Sequence, residues 1–179
     1  MAQEMEAKFS VADFRAVRRA LRAAGGVYLG TAEHVDEFFD TPERKLYRGD
    51  RGLRLRNVRV LRGAAGGVKS GWLLTYKGPR QANRSAKVRE EIQTHVTDGV
   101  ALAEILRQAG LKTHLEIKKR RSSYRLGRCL VELDELPGLG GFVEIEAPSE
   151  RALQQTRRKL ALTGEPITES YAHLVARKT

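Results

Sequence analysis

The sequence predicts an α+β domain built around an antiparallel sheet. Three observations carry this reading. Eight runs alternate apolar and polar side chains at period two, the spacing of a half-buried strand. Stretches of helical period fall between them, with Asp or Ser at their starts and Gly beyond their ends. The 179 residues suit a single domain, 1–179, with a core of its own. A closed barrel is one way for such a sheet to remove its edges.

The elements follow in order. Glu4 to Phe9 alternates as a strand. Ser10-Val-Ala-Asp13 reads as a helix start, with Asp13 in the place a capping box usually gives Glu, and the helix stops at Gly25-Gly26. Val27 to Phe39 is strand-like and ends at the turn signal Asp40-Thr-Pro. Gly52 to Val60, Trp72 to Lys77 and Lys87 to Val96 are strands, the first two separated by the flexible loop Gly63 to Gly71. Asp98 to Gln108 reads as a helix. Leu115 to Leu126 and Cys129 to Leu133 form a hairpin around Gly127. Gly141 to Ala147 is the last strand, followed by helices over Ser149 to Leu162 and Thr168 to Arg177.

The 33 basic and 22 acidic residues leave a net charge of +11. This surplus fits an anionic partner: a phosphorylated small molecule, a nucleic acid or a membrane surface. The single cysteine, Cys129, excludes an internal disulfide and a cysteine-based metal cage. The charged N-terminal residues do not read as a signal peptide, and no apolar run approaches the roughly 20 residues of a membrane span. The cytoplasm is the expected compartment.

Charge at period two is the informative feature, because residues i and i+2 of a strand share a face. Glu4, Glu6 and Lys8 share one. So do Arg54 and Arg56, Arg89 and Glu91, Glu132 and Asp134, and Glu144 and Glu146, each opposite apolar neighbours; Lys77 lies with Thr75. For one strand alone, the charged face belongs in water. Here acids gather on the first and last strands and bases on the middle ones, while several amphipathic helices need an apolar surface to cover. Charges turned inward and apolar side chains turned out under helices satisfy both.

The motifs resemble a known family. Glu4-Met-Glu6-Ala-Lys8 resembles the Glu-x-Glu-x-Lys motif of the CYTH domain, or triphosphate tunnel metalloenzyme, superfamily. Phe38-Phe-Asp-Thr-Pro42, Leu53-Arg-Leu-Arg56, Leu74-Thr-Tyr-Lys-Gly-Pro79, Val88-Arg-Glu-Glu91, Lys119-Arg-Arg-Ser-Ser-Tyr124, Leu133-Asp134 and Leu139-Gly-Gly-Phe-Val-Glu-Ile-Glu146 follow in the family's order, to about Tyr171.

The resemblance implies an eight-stranded antiparallel closed β-barrel with a charged lumen and helices outside. It implies Mg²⁺ or Mn²⁺ held by Glu4, Glu6, Glu91, Asp134, Glu144 and Glu146. It implies phosphate held by Lys8, Arg54, Arg56, Lys77, Arg89, Lys119 and Arg121. In Lys118-Lys-Arg-Arg121 either alternate pair could face inward; the spacing to Tyr124 favours 119 and 121. Arg offers paired donors to phosphate oxygens, Lys a compact charge, and carboxylates suit hard divalent ions.

The expected activity is metal-dependent hydrolysis of an inorganic or organic triphosphate, with the general base open among Glu4, Glu6 and Glu91. The alternative is a class IV adenylyl cyclase making cyclic AMP and pyrophosphate from ATP. A third reading is a non-catalytic polyphosphate- or RNA-binding module. The partner expected is a triphosphate small molecule. The paired Glu argue against a nucleic acid in the same site, since carboxylates repel polyanions. No membrane is expected, and a homodimer stays open. His34, His95, His114 and His173 form no metal-ligand pair and read as surface or packing residues. Trp72 reads as exterior cover, Asp40 as a turn cap, Arg157-Arg-Lys159 as a solvated face and Tyr171 as an anchor for the last helix.

Overall fold

The computed structural model describes residues 2–79 and 87–177; for residues 2–4, 87 and 88 it describes the backbone alone. The alternating segments are strands β1 (Ala2–Val11), β2 (Val27–Asp40), β3 (Gly52–Gly63), β4 (Gly71–Lys77), β5 (Lys87–Val96), β6 (Lys112–Leu126), β7 (Cys129–Leu136) and β8 (Gly140–Ala147). The helices are α1 (Phe14–Ala23), α2 (Lys45–Arg48), α3 (Gly99–Gln108), α4 (Glu150–Lys159) and α5 (Tyr171–Ala176).

The eight strands form one curled antiparallel sheet in the order β1-β5-β4-β3-β2-β6-β7-β8. Short connections favour neighbours, so β2-β3-β4-β5 and β6-β7-β8 run as meanders. β1 pairs with β5 through residues 2–6 and with β8 through residues 5–11.

Most of the apolar core lies outside the curl, whereas Ile117, Leu136, Phe142 and Tyr171 form a smaller cluster on the faces that carry Lys119, Asp134 and Glu144. α1 and α4 cover one part of the sheet: Val17, Leu21, Leu153 and Leu160 pack on Phe9, Val131, Leu133, Val143 and Ile145. α3 covers another, where Ala103 joins Phe39 and Leu55, with Trp72 against them. Each large side chain buried this way contributes about 1.5–3 kcal/mol. Trp72 is exterior cover, as its sequence position suggested. A Cβ at Gly99 would come within 2.0 Å of its indole ring, which is why the first helical residue there is glycine. Gly127 turns the β6–β7 hairpin at φ 61, a left-handed conformation that costs glycine least.

Two local expectations need correction. The N-cap of α1 is Asp13, whose side chain accepts from Arg15 N at 2.9 Å, whereas Ser10 stays in β1 paired with Phe142. The one-turn helix α2 was not foreseen. Asp40 builds it: Oδ1 accepts from the backbone N–H of Thr41 at 2.7 Å and of Leu46 at 2.9 Å, and Oδ2 from that of Tyr47 at 2.8 Å. Asp40 therefore does cap the turn. Burial would raise its carboxyl pKa, but these three donors hold it lower.

Candidate functional site

Because α1, α3 and α4 and the core beneath them occupy the outside, the alternate side chains meet inside the curl. They line a cavity of about 810 Å³. Its wall carries the basic residues Lys8, Arg54, Arg56, Lys77, Arg89, Lys119, Arg121 and Arg128, and the acidic residues Glu6, Asp36, Glu91, Glu132, Glu144 and Glu146. Of the residues singled out from sequence whose side chains are described, only Asp134 is missing from that wall. The Glu4 side chain lies outside the described residues. Asp134 sits behind the wall, 0% exposed. The register of β6 also resolves: Lys119 and Arg121 are buried inside, while Lys118 and Arg120 face water.

Arg121 is the hub. Its Nε donates to Asp134 Oδ1 at 2.6 Å and its Nη2 to Asp134 Oδ2, and its remaining donors reach Glu132 and Glu144. Lys119 Nζ donates to Asp134 Oδ2 at 2.8 Å. Both Asp134 oxygens are thus engaged by cations. Burial opposes the Asp134 carboxylate, but Arg121 and then Lys119 hold its pKa below the usual carboxylate range. Glu132 goes the other way, because burial outweighs Arg121. Burial, and then Arg121, pushes the Lys119 ammonium down to about 8.

Across the interior, Arg56 grips Asp36 with Nε at 2.6 Å and Nη2 at 2.7 Å. Arg54 Nη2 donates to Thr75 Oγ1 at 3.2 Å, and its Nη1 lies 3.9 Å from Asp36. Lys77 Nζ lies 2.7 Å from Glu91 Oε1, and Arg89 Nη2 3.9 Å from Asp50 Oδ1. Lys8 Nζ lies 3.2 Å from Glu144 Oε1, donates to the Glu169 carbonyl at 3.2 Å and sits 3.6 Å from the centre of the Tyr171 ring. The same ring stands 4.7 Å from Lys119 Nζ. Tyr171 therefore enters the cavity wall as well as anchoring α5.

Sequence reasoning passed over Asp36 and Arg128, and left Glu132 without a role. Glu132 carried the period-two signal. Asp36 was hidden because β2 has charged residues on both faces, Glu33 and Glu37 outside and Asp36 within. His34 is buried in the interior, the packing alternative of its two readings. Burial and then Arg56 drive its pKa far down, so it is a neutral imidazole. A second cavity of about 840 Å³ shares Lys119 and is lined by His34, but it also takes in Phe14, Val35, Leu136 and outward-facing Glu33 and Lys118. Arg54, Arg56, Glu144 and Glu146 are absent from it, so the smaller cavity is the candidate site.

A curled eight-stranded antiparallel sheet with this charged interior defines the class. Residues 2–173 match the CYTH domain, and the chain belongs to that family. It is 32% identical over 177 residues to adenylate cyclase CyaB of Aeromonas hydrophila, spanning 97% of this chain and 85% of that one. The structure of the PH1819 protein from Pyrococcus horikoshii OT3 superposes with a TM-score of 0.83 at 27% identity, covering 98% and 99% of the two chains. The fold is also that of HpAC1 from Hippeastrum, a protein reported to have a dominant triphosphatase activity, with a TM-score of 0.74 at 18% identity over 98% and 96% of the chains. Among the described residues, no helix is long and apolar enough to cross a membrane.

Proposed function

We propose that the curled sheet works as a closed tunnel in which a divalent-metal-dependent triphosphatase reaction takes place. The carrying observation is the convergence of alternating acid and base from all eight strands on one cavity. Arg54, Arg56, Arg89 and Arg121 offer forked donors to phosphate oxygens, and Lys8, Lys77 and Lys119 offer compact charges.

The donor set fits a hard ion. The acids of the wall are carboxylates, with no cysteine among them. Among the described residues, no three acids or histidines already converge as a ligand group. Glu6, Glu91, Glu144 and Glu146, with Glu4, would hold Mg²⁺ or Mn²⁺ as the triphosphate draws Lys8, Lys77 and Arg121 from their present partners. Asp134 is better placed to orient Lys119 and Arg121 than to hold the ion. When bound, the ion would offset phosphate charge and stabilise the charge that develops in the transition state. A carboxylate of Glu4, Glu6 or Glu91 would take the proton from the attacking water.

A second reading is cyclisation of ATP by attack of the ribose 3′-hydroxyl on the α-phosphorus. It is favoured by the relative named adenylate cyclase, which is 32% identical along 97% of this chain. Incubation with ATP, thiamine triphosphate and tripolyphosphate in Mg²⁺ or Mn²⁺, followed by product identification, separates the two. Orthophosphate release supports hydrolysis; cyclic AMP with pyrophosphate supports the cyclase; turnover unaffected by chelator refutes both.

A further inference from the structure

The charge surplus does not reside in the cavity. The wall, with Asp134 behind it, holds eight basic and seven acidic side chains, so +10 of the net +11 lies elsewhere in the chain. Part of that excess is ordered. Arg15, Arg18, Arg19 and Arg22 fall at i, i+3, i+4 and i+7 of α1, a stripe about 10 Å long at 1.5 Å per residue. All four are exposed, opposite the buried Val17 and Leu21. The helix itself contains no acidic residue.

An ordinary solvated face differs from this one. On α3, Arg107 lies 2.7 Å from Glu37 and 3.8 Å from Glu104. Among the described residues, no carboxylate lies within ion-pair distance of the four α1 arginines. Like charges at these spacings repel, so the stripe costs the helix stability. α4 packs on the same core cluster as α1, on the same side of the sheet, and adds exposed Arg151 and Arg158, seven residues apart on one face.

We propose that this α1–α4 side of the protein binds the phosphate backbone of nucleic acid, independently of the interior cavity. Forked guanidinium groups along a helix match successive phosphates. A bilayer fits less well, because an interfacial helix must sink its apolar face into lipid, whereas α1 has committed Val17 and Leu21 to the core.

The test is fluorescence anisotropy of a labelled 20-nucleotide RNA titrated with the full chain at about 50 mM salt, then at rising salt. Binding is expected, with a steep salt dependence. Arg→Gln at positions 15, 18, 19 and 22 together should weaken it at least about tenfold and flatten the salt slope by about 3, whereas Arg→Lys at all four retains it. Glu6→Gln should leave RNA binding unchanged, which separates this surface from the cavity whatever the cavity does. The quadruple Arg→Gln chain must keep its thermal midpoint; if it does not, the pairs Arg15/Arg19 and Arg18/Arg22 changed separately supply the same comparison. No RNA binding, binding indifferent to the Arg→Gln changes, weakening by Glu6→Gln, or capture by phosphatidylserine vesicles in place of RNA overturns the proposal.

Discussion

Arg56 and Asp36 face each other from neighbouring strands, and both carboxylate oxygens are taken by the guanidinium, at 2.6 and 2.7 Å. Each is under 10% exposed. Removing one member of a buried pair leaves the other charge unpaired, at a cost of about 3–5 kcal/mol. Asp36→Ala should therefore lower the unfolding free energy by about 3 kcal/mol in urea denaturation. Adding Arg56→Met should recover part of the loss. A change below about 1 kcal/mol would show that the pair is not held as described.

The same pair sets an acid limit on stability. Burial works against the Asp36 carboxylate, but Arg56 and then Arg54 hold its pKa far below the usual range. A depressed folded value means stability that is present above the unfolded pKa of about 3.9 and is lost as pH falls toward the folded one. Asp134 acts in the same direction, and Glu132, raised by burial, in the opposite one. The difference between wild type and Asp36→Asn isolates the first. Thermal midpoints of the two should approach each other between about pH 4 and pH 2; parallel curves would contradict the assignment.

Lys119 predicts an alkaline limit on activity. Its ammonium, at about 8 in the free protein, loses its charge above that pH. The ratio kcat/KM reports the free enzyme, so it should fall above about pH 8. Lys119→Arg should carry the plateau to higher pH. In stability the sign is reversed: the unfolded chain, with Lys near 10.4, binds more protons between about pH 8 and 10.4, so the contribution of Lys119 becomes less unfavourable as pH rises there.

Tyr171 is predicted to act through its ring. Burial, then Glu144 and Asp134, raise its pKa well above 10, so it stays neutral and cannot serve as a base. Tyr171→Phe should leave the pH profile of turnover unchanged. Tyr171→Ala removes the ring over Lys8 and the edge contact with Phe142, and should cost about 3 kcal/mol in thermal unfolding.

Much of this architecture is legible in the sequence because period two is a strict geometric rule. Arg54 and Arg56, or Glu144 and Glu146, must share a face in any strand. Which face turns inward is not local information. It follows from where α1, α3 and α4 find their apolar partners, so a single strand such as Cys129–Leu136 reads equally well with its acids in water. The same limit hid Asp36, whose strand is charged on both faces, and left the register of Lys118 to Arg121 open until Arg121 met Asp134 across the β6–β7 ladder. The start of α1 was misplaced because Ser10 has a better use in the sheet, where β8 pairs with it, than as a cap. α2 escaped notice because one turn has no period to detect; it is defined by the three bonds to Asp40 and by its own backbone bonds, such as Gly49 N–H to the Lys45 carbonyl at 3.2 Å.

The most direct test of the proposed site is a crystal structure with a non-hydrolysable triphosphate and Mn²⁺, read by the anomalous signal of manganese. The account predicts phosphate oxygens within hydrogen-bond distance of Arg56 and Arg121, and a manganese peak against Glu6 and Glu146. Triphosphate bound on an outer helix, or manganese held away from these carboxylates, would contradict it.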